Sequence, residues 1–298
     1  MDQDQENSDS HSTLCRESVD HPRILIIGGK GRMGRLFQPV FQQQGYETDI
    51  FDVSDSRSIE TVVPAADIVI LSVPMAHATE VARQVAPWVR ADALLVDFNS
   101  LKMEICDVMA ASRAGEVLGL HPMFGSTLSR LQGQKMVVCP IRSGRRADSF
   151  LQSLKQLGLE LVFTDPATHD RMMAVVQVLV HFSTLVMGTA LQQSGVSIEQ
   201  SLEFTSPIYR MELALIGRLF AQDPDLYAEI EMTNPYSEPI RQHFIDAANQ
   251  FNQVISQQDR AEFRKNFADL KDYFADFADQ SMQLSNFLID CVTSSKNS

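Results

Sequence analysis

The chain has 298 residues, a length that fits two domains or one large one, and 44 % of them are hydrophobic, enough to bury a substantial core. A formal net charge of −13 argues against nucleic acid or an anionic membrane surface as the partner and leaves a small-molecule ligand as the better fit. Cys15, Cys106, Cys139 and Cys291 are scattered with no C-x-x-C pair, so neither a disulfide framework nor a metal site is expected.

No apolar run is expected to approach the ~18 residues of a membrane span. Residues 1–21 are polar and acidic, without an apolar signal core, and read as a disordered tail on a cytoplasmic protein. The run 23–27 (RILII) predicts a strand, and it feeds Gly28-Gly-Lys-Gly-Arg-Met-Gly34, in which Gly29, Gly31 and Gly34 fit G-x-G-x-x-G. Met33, Leu36, Phe37, Val40 and Phe41 then recur at helical spacing up to Gly45, with Pro39 expected to kink the helix. A second strand, 47–51, ends at Asp52. That acid lies near the offset at which a carboxylate meets the adenosine ribose of NAD. Glycines admit a pyrophosphate to the backbone, the helix N-terminus supplies positive potential, and an acid at this place disfavours the 2′-phosphate of NADP, a preference that Arg57 nearby weakens.

Further short apolar runs follow at 67–74, 93–97, 117–120, 136–139 and 159–163, separated in part by helical stretches such as 77–89. Continuous apolar strands alternating with helices predict an α/β, Rossmann-type, doubly wound and mostly parallel sheet over residues 22–165. Ligands bind beyond the carboxyl ends of such strands. Here those ends carry Ser72-Val-Pro74, Asn99-Ser100-Leu-Lys102 and His121-Pro-Met-Phe-Gly125. His121 is a candidate proton acceptor. Lys102 reads equally as a solvated surface lysine, and Ser100 as the N-cap of the next helix.

Residues 166–298 predict an all-α domain. Asp165-Pro166 is a helix start, and 167–193 is apolar nearly all round, which predicts a buried central helix. It carries His169, expected as a hydrogen-bonded core residue, and His181, which needs a partner or a ligand. Ser206-Pro-Ile-Tyr-Arg210 opens another helix, on which Arg210 and Arg218 share one side. Two guanidinium groups could grip a dicarboxylate, or they could pair with Glu203 or Glu212. Phe263, Phe267, Leu270, Phe274, Phe277, Leu284, Leu288 and Cys291 follow 4-3 spacing with a lapse at Ser281. This predicts one long helix that packs within the domain or across a dimer.

Taken together, Gly28-Gly-x-Gly-x-Met-Gly34-Arg-Leu-Phe, Ser72-Val-Pro74, Leu95-Val-Asp97 to Ser100-x-Lys102, Leu118-Gly-Leu-His-Pro-Met-Phe-Gly125, and Ser206-Pro-Ile-Tyr-Arg210 through Gly217-Arg-Leu-Phe-Ala-Gln-Asp-Pro224 resemble the prephenate dehydrogenase family. The likeness is greatest to the dehydrogenase portion of its bifunctional members, without a mutase domain, and runs from about residue 23 to residue 288. The resemblance implies NAD-dependent oxidative decarboxylation of prephenate to 4-hydroxyphenylpyruvate in tyrosine biosynthesis, by a homodimer joined through its helical domain. His121 would be the catalytic base, and Ser100 would orient it and the ring hydroxyl. Lys102 and His181 would border the prephenate-like dicarboxylate, Arg218 would bind a carboxylate, and Arg210 would neighbour it. Arg32 and Met33 join the three glycines, Asp52, Ser72 and Pro74 as cofactor residues, and no metal is implied. The chain departs from the family's pattern at Ser126-Thr127 and Asn99-Ser100. Those departures keep two alternatives open: arogenate or 4-amino-4-deoxyprephenate as substrate, or a catalytically silent NAD-binding regulator.

Overall fold

The computed structural model describes residues 22–128 and 130–294, so the expected tail and Cys15 lie outside the described residues. The strands are β1 (Arg23–Ile27), β2 (Glu47–Phe51), β3 (Ile68–Leu71), β4 (Leu94–Asp97), β5 (Glu116–Pro122), β6 (Lys135–Arg142) and β7 (Glu160–Phe163). They form one sheet in the order β2-β1-β3-β4-β5-β6-β7. Every neighbouring pair is parallel except β5–β6. Between the strands run α1 (Arg32–Gln43), a short α2 (Ile59–Val62), α3 (Met75–Val85), α4 (Met103–Ala110) and α5 (Arg145–Gln156).

Strand alternation divides the core into two layers. Leu25, Ile27, Val69, Leu71 and Leu95 face Ala78, Ala82 and Val85 of α3 and Ile105 and Met109 of α4. Ile24, Ile26, Ile70, Val96 and Leu120 face Phe37 and Phe41 of α1 and Phe150 and Leu154 of α5. Both phenylalanines of α1 are fully buried, each contributing on the order of 2–3 kcal/mol. Pro39 sits on the exposed side of α1, where the carbonyl it leaves unpaired meets water, and the helix runs through it.

The second half is helical: α6 (Pro166–Met173), α7 (Val180–Gln193), α8 (Ile198–Glu203), α9 (Pro207–Phe220), α10 (Pro224–Thr233), α11 (Ser237–Ser256), α12 (Arg260–Phe274) and α13 (Asp276–Ser294). Asp165, Ser206 and Asp223 cap α6, α9 and α10 with their side chains, each followed by proline at the first helical position. A π-helical stretch, Ala174–Leu179, joins α6 to α7 into a continuous 28-residue helix, Pro166–Gln193.

Three expectations are corrected here. The 28-residue helix is long and apolar enough for a membrane span by length and composition, with a mean hydropathy of 1.7 over its best window. It is also not buried within the chain: α7 has no buried residue, and Val180, Val186 and Met187 are open. The reason is that the α9, α10 and α11 faces available in one chain cover only part of it. The aromatic seam is two helices rather than one, broken at Ala275, whose φ of +41° no proline or glycine announces. Along α7, α9, α12 and α13, large apolar side chains such as Leu215, Phe267, Phe277 and Phe287 stay more than half exposed. Such a contiguous apolar surface marks an interface.

Candidate active site

The chain steps from β1 to β2 on one side and then to β3 on the other, so the strand order reverses at β1, and the carboxyl ends of β1 and β3 are where a doubly wound sheet takes its ligand. Gly28 sits there with φ +79°, and a Cβ on it would stand 2.5 Å from the Ser72 carbonyl oxygen. This residue, outside the G-x-G-x-x-G set, is the one of the turn's glycines with a left-handed backbone; the signal was the double glycine. Gly31 is the N-cap of α1 and no side chain caps that end, so its N–H groups are free for an anion. A Cβ on Gly34 would meet Gly29 backbone at 2.5 Å, so this glycine sets how closely α1 approaches the turn. Met33 packs half-buried against the core and shapes the loop from behind.

Asp52 follows β2 and accepts from Lys30 N at 3.2 Å and Val53 N at 2.9 Å. Those bonds aim the carboxylate beside the glycine turn and leave lone pairs for ribose hydroxyls. Arg57, which might have served a 2′-phosphate, is held by Asp49 at 2.6 Å and Asp55 at 2.7 Å and donates to the Ile50 carbonyl. These residues therefore fit NAD: a cradle too tight for side chains, a free helix terminus, and an acid with no unengaged arginine beside it. Ser72 and Pro74 form the opposite lip, where Ser72 N still bonds the Ile27 carbonyl. Arg32 extends from the loop to Asp223 at 3.5 Å, linking the cofactor turn to the start of α10.

His121 lies within β5, two residues from where the strand leaves the sheet, and is 3 % exposed. Its Nδ1 is 2.9 Å from His169 Nε2, and His169 Nδ1 is 2.7 Å from Asp170 Oδ1. Asp170 also receives Lys102 N at 2.8 Å and Met103 N at 2.9 Å, so this acid from α6 caps α4. Asn234 binds the Asp170 carbonyl and anchors the end of α10 to it.

The tautomers follow from the acceptor end of that chain. A carboxylate accepts, so His169 donates from Nδ1 and its Nε2 becomes an acceptor. His121 then donates from Nδ1 and presents the lone pair of Nε2. Gln177, in the π-helical stretch, approaches that nitrogen at 3.5 Å, a marginal contact that a substrate hydroxyl can replace. Burial foremost, then the nearby His169 and Lys102, push the His121 pKa well below 6.5, so the ring is neutral and able to accept a proton.

Several sequence-predicted residues take other places. Lys102 is fully buried, with its ammonium on Asp97 and on the Leu120 carbonyl at 2.9 Å. It ties β4 to β5 from inside, with both of its partners protein groups. Ser100 does not cap α4, which Asp170 does, and it makes no hydrogen bond to His121, whose Nδ1 is taken by His169. It remains half-exposed at the β4 exit. His169, expected only as a satisfied core residue, is the link between base and acid. Asp170 was missed altogether.

Farther into the helical half, His181 stands edge-on to Tyr227 with ring centroids 4.7 Å apart. Burial raises the Tyr227 pKa, while the fields of Arg218 and Arg32 oppose that rise, which puts both cations near this corner. Among the described residues neither Arg210 nor Arg218 forms an ion pair, so the guanidinium groups are not consumed by Glu203 or Glu212.

A dinucleotide turn at a switch point, in a sheet that carries a neutral buried imidazole near the carboxyl end of β5, fits an NAD-dependent dehydrogenase. The family models agree. Prephenate dehydrogenase, nucleotide-binding domain, matches residues 34–160, and prephenate dehydrogenase, dimerization domain, matches residues 165–269. The "T-protein" of Enterobacter agglomerans is 36 % identical over 291 residues, 98 % of this chain and 77 % of that one. The "4-amino-4-deoxyprephenate dehydrogenase" of Streptomyces pristinaespiralis is 26 % identical, over 84 % of this chain and 90 % of its own. The crystal structure of prephenate dehydrogenase from A. aeolicus with hydroxyphenyl propionate and NAD+ shares the fold, with a TM-score of 0.67 at 20 % identity, over 86 % of this chain and 98 % of that one. The chain belongs to the prephenate dehydrogenase family.

Proposed function

We propose that the protein catalyses the NAD-dependent oxidative decarboxylation of prephenate to 4-hydroxyphenylpyruvate, as a cytoplasmic homodimer. The observation that carries this reading is the Asp170–His169–His121 chain, which leaves one unprotonated imidazole nitrogen near the carboxyl end of β5. NAD would supply the acceptor for the hydride on the ring carbon that bears the hydroxyl. Gly28, Gly29, Gly31 and Gly34 would give it room, the α1 terminus would meet its pyrophosphate, and Asp52 would hold its ribose.

His121 Nε2 accepts the hydroxyl proton while the ring carbon is oxidised, and the resulting positive charge is shared along His169 toward Asp170. Ser100, at the exit of β4, would donate to the same hydroxyl oxygen. Oxidation gives a vinylogous β-keto acid; its carboxylate leaves as CO2 and the ring becomes aromatic, so the second step needs little from the protein. Arg218, with Arg210 near it, holds the remaining carboxylate and thereby aims the ring. His181 borders the same side chain. The exposed apolar faces of α7, α9, α12 and α13 are the surface a second copy would cover.

Purified protein tests the reading: prephenate with NAD should yield NADH, CO2 and 4-hydroxyphenylpyruvate in equal amounts. NAD binding without turnover of prephenate or of its amino analogues would leave the silent regulator.

A further inference from the structure

Glu231 is not used by the mechanism above, yet it is 8 % exposed and neither of its carboxylate oxygens has a hydrogen-bond partner in the chain. His181 Nδ1, across from it on α7, is buried and unpartnered as well, 3.9 Å from Oε1. One small side-chain rotation closes that separation to a hydrogen bond. The His181 side chain nevertheless keeps 18 % of its surface open, so the opening lies along the far edge of the ring, which carries Nε2. Tyr227, four residues before Glu231 on the same face of α10, stands edge-on to that ring. From α11, Arg241 lies 4.0 Å from Oε2 and gives its hydrogen bond to the Glu231 backbone carbonyl at 2.6 Å. The π-helical stretch packed on α10 has no titratable side chain, and among the described residues α3, which also packs there, forms no ion pair with Glu231. Buried polar atoms that face each other unpaired are costly unless a proton is shared between them.

We propose that Glu231 is a positioning residue: by giving a proton to His181 Nδ1 or taking one from it, the acid decides whether Nε2 donates a hydrogen bond to the substrate's carboxylate or turns a lone pair toward it. The inference rests on the reading of His181 as a wall of the substrate site. Burial holds the His181 pKa below 6.5, so the ring is neutral and has a single hydrogen to place. With Glu231 protonated, its O–H donates to Nδ1, the ring hydrogen sits on Nε2, and Nε2–H meets an arriving carboxylate. With Glu231 ionised, the ring hydrogen moves to Nδ1 and donates to the acid, and the Nε2 lone pair repels the same carboxylate. The two states differ by one proton released to solvent. Burial raises the carboxyl of Glu231 to about 7 against the field of Arg241, so the change falls near neutrality. The grip on the substrate is thereby tied to pH through a residue that does not touch it. His121 has partners of its own, His169 and Gln177, and stands outside this exchange.

The test follows KM and kcat for prephenate with NAD from about pH 6 to about pH 8.5 in the wild type, Glu231→Gln and His181→Leu, with folding followed by thermal melting. In the wild type KM should rise about tenfold across that range, the loss of one charge-assisted hydrogen bond, while kcat on the alkaline side changes less than about threefold. The amide of Glu231→Gln donates to Nδ1 at every pH, so its KM should stay flat and within about threefold of the wild-type value at the acid end. His181→Leu should give a raised and equally flat KM. A wild-type KM that ignores pH overturns the proposal, as does a slope that survives in Glu231→Gln. A slope that survives in His181→Leu means that the carboxylate acts on the substrate directly, and overturns it too. No turnover at any pH strikes the function itself, and a measurement without substrate keeps the two failures apart. The infrared difference between wild type and Glu231→Gln should show a protonated carboxyl at about pH 6 that is gone by about pH 8.5, and a carboxyl ionised at both would contradict the assignment.

Discussion

Asp170→Asn should disable the enzyme without touching a reacting atom. The carboxylate accepts three hydrogen bonds: Lys102 N at 2.8 Å, Met103 N at 2.9 Å and His169 Nδ1 at 2.7 Å. An amide has only one accepting atom. With its oxygen toward Lys102 and His169, its NH2 confronts the Met103 N–H at the start of α4. Turned the other way, the NH2 faces Lys102 N, and His169 must present an acceptor at Nδ1. His169 Nε2 then becomes the donor, His121 shifts its proton to Nε2, and the lone pair that accepts the substrate proton is gone. The stability loss combines a weakened helix cap with a lost charge-assisted bond, about 2–4 kcal/mol in all. Melting should therefore fall by roughly 5–15 °C, and kcat by on the order of 10²–10⁴-fold. NAD affinity should hold, because none of the three bonds reaches the glycine turn. Stopped-flow NADH formation and a fluorescence titration with NAD separate the two effects. A folded variant with kcat within about threefold of wild type would refute the tautomer argument.

Three further outcomes are expected. Because burial, His169 and Lys102 disfavour the imidazolium, the acid limb of kcat/KM should fall below pH 6.5: the base stays available as pH drops through the ordinary histidine range, and a limb centred at or above 6.5 would contradict this. Asp52→Ser should cut the NAD-over-NADP preference in kcat/KM by about tenfold or more, since the acid is the local source of repulsion for a 2′-phosphate; an unchanged ratio would assign the preference elsewhere. Light scattering at micromolar protein should give twice the chain mass, and a monomer would leave the exposed faces of α7, α12 and α13 without an occupant.

What the sequence disclosed depended on how local each signal was. The glycine turn, α1 and Asp52 lie within thirty residues and follow helix and strand periods, so they were legible. His121 was visible because a strand end is visible. His169 and Asp170 stand 48 and 49 residues farther along and join His121 only when α6 folds back onto the sheet, so the relay was hidden. The same long-range packing placed Asp170 where Ser100 was an available cap, while Lys102 turns back onto Asp97 at the end of β4. Gly28 was passed over because its contact with Ser72 spans two strands. The apolar run 167–193 predicted a buried helix, and α7 is instead left open because one chain supplies only part of its cover. The break at Ala275 carries no sequence mark at all.

Single-turnover NADH formation by His121→Asn, with NAD binding measured on the same sample, addresses the central claim most directly. Asparagine keeps a polar group of similar reach but offers no basic nitrogen. The rate should fall by roughly 10²-fold or more while the NAD dissociation constant stays within about twofold. A near-normal rate would mean that the proton leaves by another route and that the imidazole at the end of β5 is not the base.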